Sequence, residues 1–279
     1  TYPPGLPLHL LIAAQVVGWD HAAILINVLG ALFSGWLIFL LARKYCHLKP
    51  AWALSATLLL WACPLFVFFS LQPMSDMPST GWCLLAFFSA LNARQRTSWG
   101  VLAGVAVGIA VLLRPTNLLV MLPVLMILRG SVKAWGLLIL GGLPFAGLQI
   151  AYNLKAYGEI VTTGYGDVSS LLQSEFIAHN SIHFAQWIPQ LLTPGIVLAL
   201  AIPWSLQYYP RLIPAMIAWS VSLIAFYTFY YHAGETWWYL RFILPVFPFL
   251  ILAALMVTQR LMESIRAPWL RTLLPLALL

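Results

Sequence analysis

Three charged residues lie where apolar segments meet short polar turns, and their side chains suit the transfer of a group from a phosphate. Asp76 lies between two prolines in segment 72–80, at the start of an apolar run. Arg114 precedes a proline, and Arg241 lies in the aromatic segment 237–245. A guanidinium near a lipid bilayer needs an anionic partner such as a carboxylate or a phosphate. A carboxylate within reach of a hydroxyl can act as a general base, so the three residues suit catalysis and anion binding.

Each of these residues also has a structural interpretation. Asp76 could cap the free N–H groups at the start of the helix that follows it. Arg241 could pair with Glu235, a few positions earlier in the chain. Arg114 could extend its side chain along the helix surface to the membrane interface. The local sequence leaves both interpretations open for all three residues.

Other polar residues have weaker signals. Segment 162–167 matches the filter string of potassium channels, but the residues before it are too few and too interrupted to form a pore helix. We interpret it as a loop that presents Tyr165 and Asp167 to an outer cavity. His179 and His183 could share a helix face, but two nitrogens do not make a metal site, so surface histidines are favoured. The three cysteines lack metal-binding spacing and are interpreted as small apolar side chains.

The elements that must position these residues are long apolar segments. Of the 279 residues, 62% are apolar and 8% are charged, and the mean hydropathy is +0.91. A water-soluble domain carries about a quarter of its residues as charged ones. The runs predict an all-α polytopic membrane protein with about ten transmembrane helices, plus a short re-entrant or interfacial helix near the N-terminus. The predicted spans lie near 21–42, 51–70, 77–93, 97–113, 115–128, 134–153, 190–207, 212–231 and 238–258, with a last one from 269.

Charge alternates between the segments that connect the apolar runs. Most of the 14 basic residues lie in one set of connections, which includes 43–49, 94–96, 129–133 and 260–271. Most of the 7 acids lie in the other set, together with most histidines and a polar loop near 154–189. Under the positive-inside rule the basic set faces the cytoplasm, so the candidate residues face outward. The net charge of +7 then reflects membrane topology, and no nucleic-acid partner is predicted.

Together these strings resemble the GT-C class of membrane glycosyltransferases, in particular the bacterial protein mannosyltransferases and aminoarabinose transferases. The residues that carry the resemblance occur in the family's order along nearly the whole chain: Tyr2-Pro3-Pro4-Gly5, Ser75-Asp76-Met77-Pro78, Arg114-Pro115-Thr116, Asn153, Gly158, Thr163-Gly164-Tyr165, Arg241-Phe242 and Pro245. The resemblance implies one GT-C-like transmembrane module over residues 1–279, in a bacterial inner membrane. It also implies a longer protein, in which the family's first transmembrane helix and first outer loop precede Thr1.

The activity that the resemblance implies is transfer of a sugar from a polyprenyl-phosphate-linked donor to a lipid, glycan or protein acceptor on the non-cytoplasmic face. The implied catalytic residue is Asp76. The family's phosphate-facing arginine corresponds to Arg241 or Arg114. We add Tyr165 and Lys155 as candidates for binding the donor or its lipid phosphate. The candidates for contacting the acceptor or lining the cleft are Tyr2, Asp167, Glu235 and His232. Some relatives hold a divalent metal through a glutamate before the Pro-Pro turn. Thr1 or a position upstream of it takes that place here, so no metal ligand is assigned, and a divalent metal is left as an alternative.

A second hypothesis, from a different class, is a secondary transporter or flippase for an anionic solute or a lipid-linked sugar. Such a protein would bind its substrate near the bilayer midplane through Arg114, Arg241 and the acids. The charged residues instead lie at the edges of the apolar runs, and the two halves of the sequence show no repeat. The sequence therefore favours the transferase.

Overall fold

The computed structural model describes residues 3–160 and 168–264. Within these ranges the chain forms helices, with no β-strand beyond an isolated bridge between Leu172 and Tyr230. The α-helices are α1 Gly5–Val17, α2 Trp19–Lys44, α3 Pro50–Ala62, α4 Pro64–Ser70, α5 Asp76–Ala93, α6 Trp99–Leu113, α7 Met121–Leu128, α8 Val132–Tyr157, α9 Val168–Leu171, α10 Phe176–Leu191, α11 Leu212–Thr228 and α12 Phe247–Ser264. Short 3-10 segments lie at Pro115–Val120, Pro194–Ser205, Tyr231–Gly234 and Trp237–Val246. The predicted all-α fold class is confirmed.

Several of these helices are long and apolar enough to cross a membrane. α2 and α8 each have 26 residues, and the last 3-10 segment continues into α12 as a 27-residue apolar helix, Trp237–Glu263. Two bent pairs add candidates: α3 with α4, bent by 63°, and α10 with Pro194–Ser205, bent by 108°. By length and composition, the described ranges therefore hold three to five spans, with four shorter apolar helices among them. The integral, multi-pass architecture is confirmed, and the number of about ten spans stays a prediction.

Prolines set where several helices end. α6 stops at Leu113, Arg114 has an extended backbone with φ −149° and ψ 115°, and Pro115 begins the next 3-10 segment. The residue before a proline avoids the α-helical conformation because the proline ring crowds it. The predicted turn at this pair is confirmed. It places Arg114 at the end of α6 rather than inside a continuous helix.

Glycines allow α6 and α8 to pack backbone to backbone. A Cβ atom on Gly104 would overlap the carbonyl of Leu138, and one on Gly141 would overlap the carbonyl of Val101. In membranes, small residues at a helix interface permit the close van der Waals contact that holds helices together. Alanine at either position would push the two helices apart.

Charged residues collect at opposite ends of the helix bundle. At one end Lys49 pairs with Glu263 at 3.2 Å, and Arg94 directly follows α5; we call this the basic end. At the other end lie Asp76, in the first turn of α5, and Arg114, directly after α6. α5 has 18 residues, so its two ends are about 27 Å apart. The two sets of connections that differ in charge in the sequence thus lie at opposite ends of one helix bundle.

The second half of the predicted polar loop near 154–189 is helical. α10 spans Phe176–Leu191, and its residues Asn180, Phe184 and Leu191 are buried. Their spacing of four and seven positions is that of an amphipathic helix. Hydropathy alone indicates a loop here because polar residues separate the apolar ones, although the buried face has helical periodicity.

The three cysteines have free, buried thiols. Burial raises the pKa of the Cys46 thiol, in the connection after α2, to about 12. Since the thiolate is the form that attacks carbon and binds metals, this cysteine is unreactive at neutral pH. The interpretation of the cysteines as small apolar side chains is confirmed.

Candidate active site

Asp76 and Arg114 form a buried ion pair. Nη1 of Arg114 donates to Oδ1 of Asp76 at 2.9 Å, and the two side chains are 13% and 2% exposed. Ser75 is the cap residue of α5, and no side chain makes a capping hydrogen bond there. The helix-cap interpretation of Asp76 is therefore wrong, since its carboxylate is bound by a guanidinium instead.

The antiparallel packing of α5 and α6 creates this pair. Consecutive helices joined by a short connection pack side by side in opposite directions. The start of α5, with Asp76, therefore meets the end of α6, with Arg114. Removing two charges from water costs several kcal/mol per ion, so a buried pair is weak evidence for stability. Its location beside a cavity makes it a candidate functional site.

Arg241 lies next to the ion pair. The same Nη1 atom of Arg114 donates to the backbone carbonyl of Arg241 at 3.2 Å. The ring of Phe242 lies 5.3 Å from Cζ of Arg114 and 5.2 Å from Cζ of Arg241. Both distances fall within the range of a cation–π interaction. One aromatic ring therefore contacts both guanidinium groups.

The guanidinium of Arg241 makes no ion pair with any described residue. Its Nε is buried and has no hydrogen-bond partner among the described residues, and its Nη1 lies 3.6 Å from the sulfur of Met74. Glu235 pairs with His232 instead, with Nδ1 and Oε1 2.6 Å apart. The suggested pairing of Arg241 with Glu235 is wrong. Arg241 thus keeps N–H groups that could donate hydrogen bonds to an anion.

An apolar cavity of about 410 Å³ opens beside Arg114. Besides Arg114, it is lined by Pro115, Thr116, Leu118, Leu119, Leu171, Leu172, Phe226, Tyr227, Tyr230 and Phe242. The hydroxyls of Thr116 and Tyr227 are 2.9 Å apart and hydrogen-bond each other. Ligand sites are typically concave and mostly apolar, with a few polar groups that fix orientation. This cavity suits an amphipathic ligand whose anionic group lies at the guanidinium.

Asn180 holds the chain segment that supplies the aromatic wall of the cavity. Its side chain is fully buried, and Nδ2 donates to the carbonyl of Thr228 at 2.9 Å and to that of Tyr230 at 2.8 Å. Sequence reasoning missed this residue because an asparagine within a polar segment is unremarkable locally. Its position on the buried face of α10 is the signal that could have identified it.

His179 and His183 also attach α10 to the neighbouring backbone. Nε2 of His179 lies 3.0 Å from the carbonyl oxygen of Gly234, and Nε2 of His183 lies 3.2 Å from that of Thr236. Among the described residues, no group of three or more His, Cys, Asp or Glu side chains could hold a metal ion. The histidine pair therefore serves here to hold two elements together.

The remaining predicted site residues fall into three groups. The ring of His232 stacks on Tyr239 with centroids 5.9 Å apart, and Tyr239 stacks on Phe242 at 5.7 Å. We call these three rings the aromatic row, to which Glu235 is joined through its hydrogen bond with His232. Lys155 lies exposed in the last turn of α8 and makes no ion pair with a described residue. Three predicted residues lie outside the described residues: Tyr2, Tyr165 and Asp167.

Sequence comparison identifies the family. The sequence model of a family described as dolichyl-phosphate-mannose-protein mannosyltransferase matches residues 2–151, which is more than half of the 279-residue chain. The chain belongs to this family. The matched range contains both members of the buried ion pair, Asp76 and Arg114. A search of curated protein sequences found no match.

Two solved structures have a similar fold. ArnT from Cupriavidus metallidurans bound to undecaprenyl phosphate matches with a TM-score of 0.67 and 16% sequence identity, over 99% of this chain and 52% of that chain. The apo state of the same ArnT matches with a TM-score of 0.67 and 15% identity over the same shares. The chain thus spans about half the length of the ArnT chain. The family match and the shared fold confirm the predicted GT-C class.

Proposed function

We propose that this protein transfers a sugar from a polyprenyl-phosphate-linked donor to an acceptor at the end of the bundle that carries Asp76. The observation that carries the proposal is the juxtaposition of the buried Asp76–Arg114 pair, the guanidinium of Arg241 and the apolar cavity. The family description names a dolichyl-phosphate-linked mannose, and the similar ArnT structure contains undecaprenyl phosphate. Both support a polyprenyl-phosphate-linked donor.

In this proposal Arg241 and Arg114 bind the donor phosphate. As the bond between the anomeric carbon and the phosphate oxygen breaks, negative charge increases on the departing polyprenyl phosphate. A guanidinium that is fixed in a site of low dielectric constant stabilises that charge without reorganising. The apolar walls of the adjacent cavity accommodate the first part of the prenyl chain.

Asp76 acts as the base. The acceptor oxygen forms a bond to the anomeric carbon, and its proton passes to the carboxylate of Asp76. Arg114 holds Oδ1 at 2.9 Å, which fixes the plane of the carboxylate and leaves Oδ2 for the acceptor. The products are the glycosylated acceptor and polyprenyl phosphate.

We assign the acceptor side to the aromatic row. The side chains of His232 and Glu235 are each 39% exposed, and the ring of Tyr239 lies beside them. This row offers a surface for stacking together with the hydrogen-bonded His232–Glu235 pair. The basic end lies at the opposite end of the bundle, and the positive-inside rule assigns it to the cytoplasm. The active site would then face the non-cytoplasmic side. Roles for Tyr2, Lys155, Tyr165 and Asp167 stay predictions.

The test is transfer of labelled sugar from a polyprenyl-phosphate donor by membranes that contain the full-length protein. Asp76→Asn keeps the size of the side chain but removes the base, so we expect transfer to fall about 10²–10⁴-fold. Asp20→Asn is the matched control, because Asp20 is an exposed acid in the first turn of another helix, α2.

Equal activity of the two variants would contradict the role of Asp76. The same membranes also separate the transferase from a transporter or flippase. Movement of the labelled compound across the bilayer that persists in Asp76→Asn, with no transfer in the unmodified protein, would refute the proposed reaction.

A further inference from the structure

Two cavities at the basic end share one wall. The first, of about 280 Å³, is lined by Trp204, Ser205, Val257, Arg260 and Leu261. The second, of about 270 Å³, also contacts Ser205 and Arg260, and its lining includes the polar side chains of Tyr208, Gln259 and Glu263. A mostly apolar space and a polar space therefore meet at Arg260.

The guanidinium of Arg260 is held at this boundary by two contacts. Nη1 donates to Oγ of Ser205 at 2.8 Å, and Cζ lies 3.6 Å over the ring of Tyr208. Arginine commonly stacks on an aromatic ring while its planar fork of N–H groups binds a phosphate. The side chain is therefore positioned before any ligand arrives, which lowers the entropy lost on binding.

The local charges favour an anion. Glu263 is the acid in the polar cavity, and it is already paired with Lys49 at 3.2 Å. Arg260 makes no ion pair with a residue in 3–160 or 168–264. The net charge of Lys49, Glu263 and Arg260 is therefore positive, and of these three Arg260 is the one that lines both cavities.

The surrounding aromatic residues favour a lipid as the source of that anion. Trp204 is 77% exposed and Tyr208 is 57% exposed. Exposed Trp and Tyr side chains are typical of the level at which lipid headgroups meet hydrocarbon. The apolar cavity could hold an acyl chain directly beside the guanidinium. Binding of a soluble phosphate would not require such an apolar cavity.

We propose that Arg260 and Ser205 bind the phosphate of an anionic phospholipid, with an acyl chain along Trp204, Val257 and Leu261. Arg260 donates to the phosphate oxygens through the N–H groups that Ser205 does not use. This lipid site lies at the opposite end of the bundle from Asp76. It is independent of the proposed transferase activity.

The test is native mass spectrometry of the purified full-length protein with phosphatidylglycerol, phosphatidylcholine or inorganic phosphate at equal concentrations. We expect retention of phosphatidylglycerol, little phosphatidylcholine, and no displacement of the lipid by inorganic phosphate. Arg260→Gln should weaken phosphatidylglycerol binding about tenfold, as expected for the loss of one charge-assisted contact. Arg96→Gln, an exposed basic residue near the same end, should leave binding unchanged.

A second variant controls for the possibility that Arg260→Gln loses binding because it misfolds. Tyr208→Leu removes the ring under the guanidinium at an exposed position, so the protein should fold and elute from gel filtration normally. Its affinity for the lipid should nevertheless fall several-fold. Equal retention of the two phospholipids, or unchanged binding in both variants, would overturn the site. Displacement of phosphatidylglycerol by inorganic phosphate would overturn the assignment to a lipid.

Discussion

Replacing Arg114 by glutamine removes the cation that neutralises Asp76, whose side chain is 2% exposed. Glutamine is of similar length and can still donate a hydrogen bond, so the change is mainly one of charge. The carboxylate would remain in a site that excludes water but would lack its counterion. We therefore expect the free energy of unfolding of Arg114→Gln to fall substantially.

The separation in the structure sets the magnitude. Two unit charges at 2.9 Å attract each other by about 6 kcal/mol at an effective dielectric constant of about 20. In the unmodified protein the desolvation of both ions offsets much of this attraction. The variant loses the attraction but keeps the desolvation of Asp76. The expected loss of unfolding free energy is therefore about 3–5 kcal/mol.

The assay is a double-mutant cycle with Asp76→Asn. Reversible unfolding of each purified variant is followed by tryptophan fluorescence in mixed micelles as the fraction of denaturing detergent increases. The double variant has no buried charge at this position, so it should be more stable than Arg114→Gln alone. The coupling energy between the two positions should be about 1–3 kcal/mol. Arg129→Gln, an exposed basic residue at the other end of the bundle, is the control.

Two results would refute this reasoning. If the two substitutions are additive, the carboxylate does not depend on Arg114. If Arg114→Gln is no less stable than the Arg129→Gln control, the charge of Asp76 is solvated in some other way. Either outcome would remove the structural basis for an orientated, buried base.

Two further substitutions separate binding from folding. Arg241→Gln should lower sugar transfer about 10²–10³-fold and change the free energy of unfolding by less than about 1 kcal/mol, because Arg241 pairs with no described acid. The labelled-donor assay and the detergent titration measure the two effects, and a large loss of stability would contradict the phosphate role. Asn180→Ala should cost about 1–3 kcal/mol, because it leaves the carbonyls of Thr228 and Tyr230 without their donor. It should also raise KM for the donor, since those residues adjoin the cavity wall, and an unchanged KM would limit Asn180 to a structural role.

Residue type and local context were enough to find the two members of the ion pair but not their contact. A carboxylate and an arginine at the edges of apolar runs each indicate function in a membrane protein, because an isolated charge there is costly. The proline after Arg114 also predicts the turn that ends α6. The pairing of Asp76 with Arg114 depends on α5 and α6 lying antiparallel with a particular alignment. Local sequence contains no information about that alignment.

Local sequence was also misleading where a partner lies nearby in the chain. Glu235 is close to Arg241 in sequence, yet it pairs with His232, and Arg241 lies against Phe242 and Met74. The 3-10 segments around residues 231–246 change the direction of successive side chains relative to a regular helix. Proximity along the chain therefore does not by itself decide which of several nearby residues Glu235 pairs with.

Composition and charge by themselves determined the class of this protein. A chain with 8% charged residues cannot cover a water-soluble surface, and its long apolar runs with alternating loop charge predict a helical membrane protein with two chemically different ends. These properties follow from solvation of single residues and short segments. The tertiary structure alone decided that Asp76 is neutralised by Arg114, that Arg241 keeps donors beside Phe242 of the cavity wall, and that Asn180 holds the aromatic wall. Each of these depends on packing between helices that are distant in sequence, and such contacts exist only once the bundle has formed.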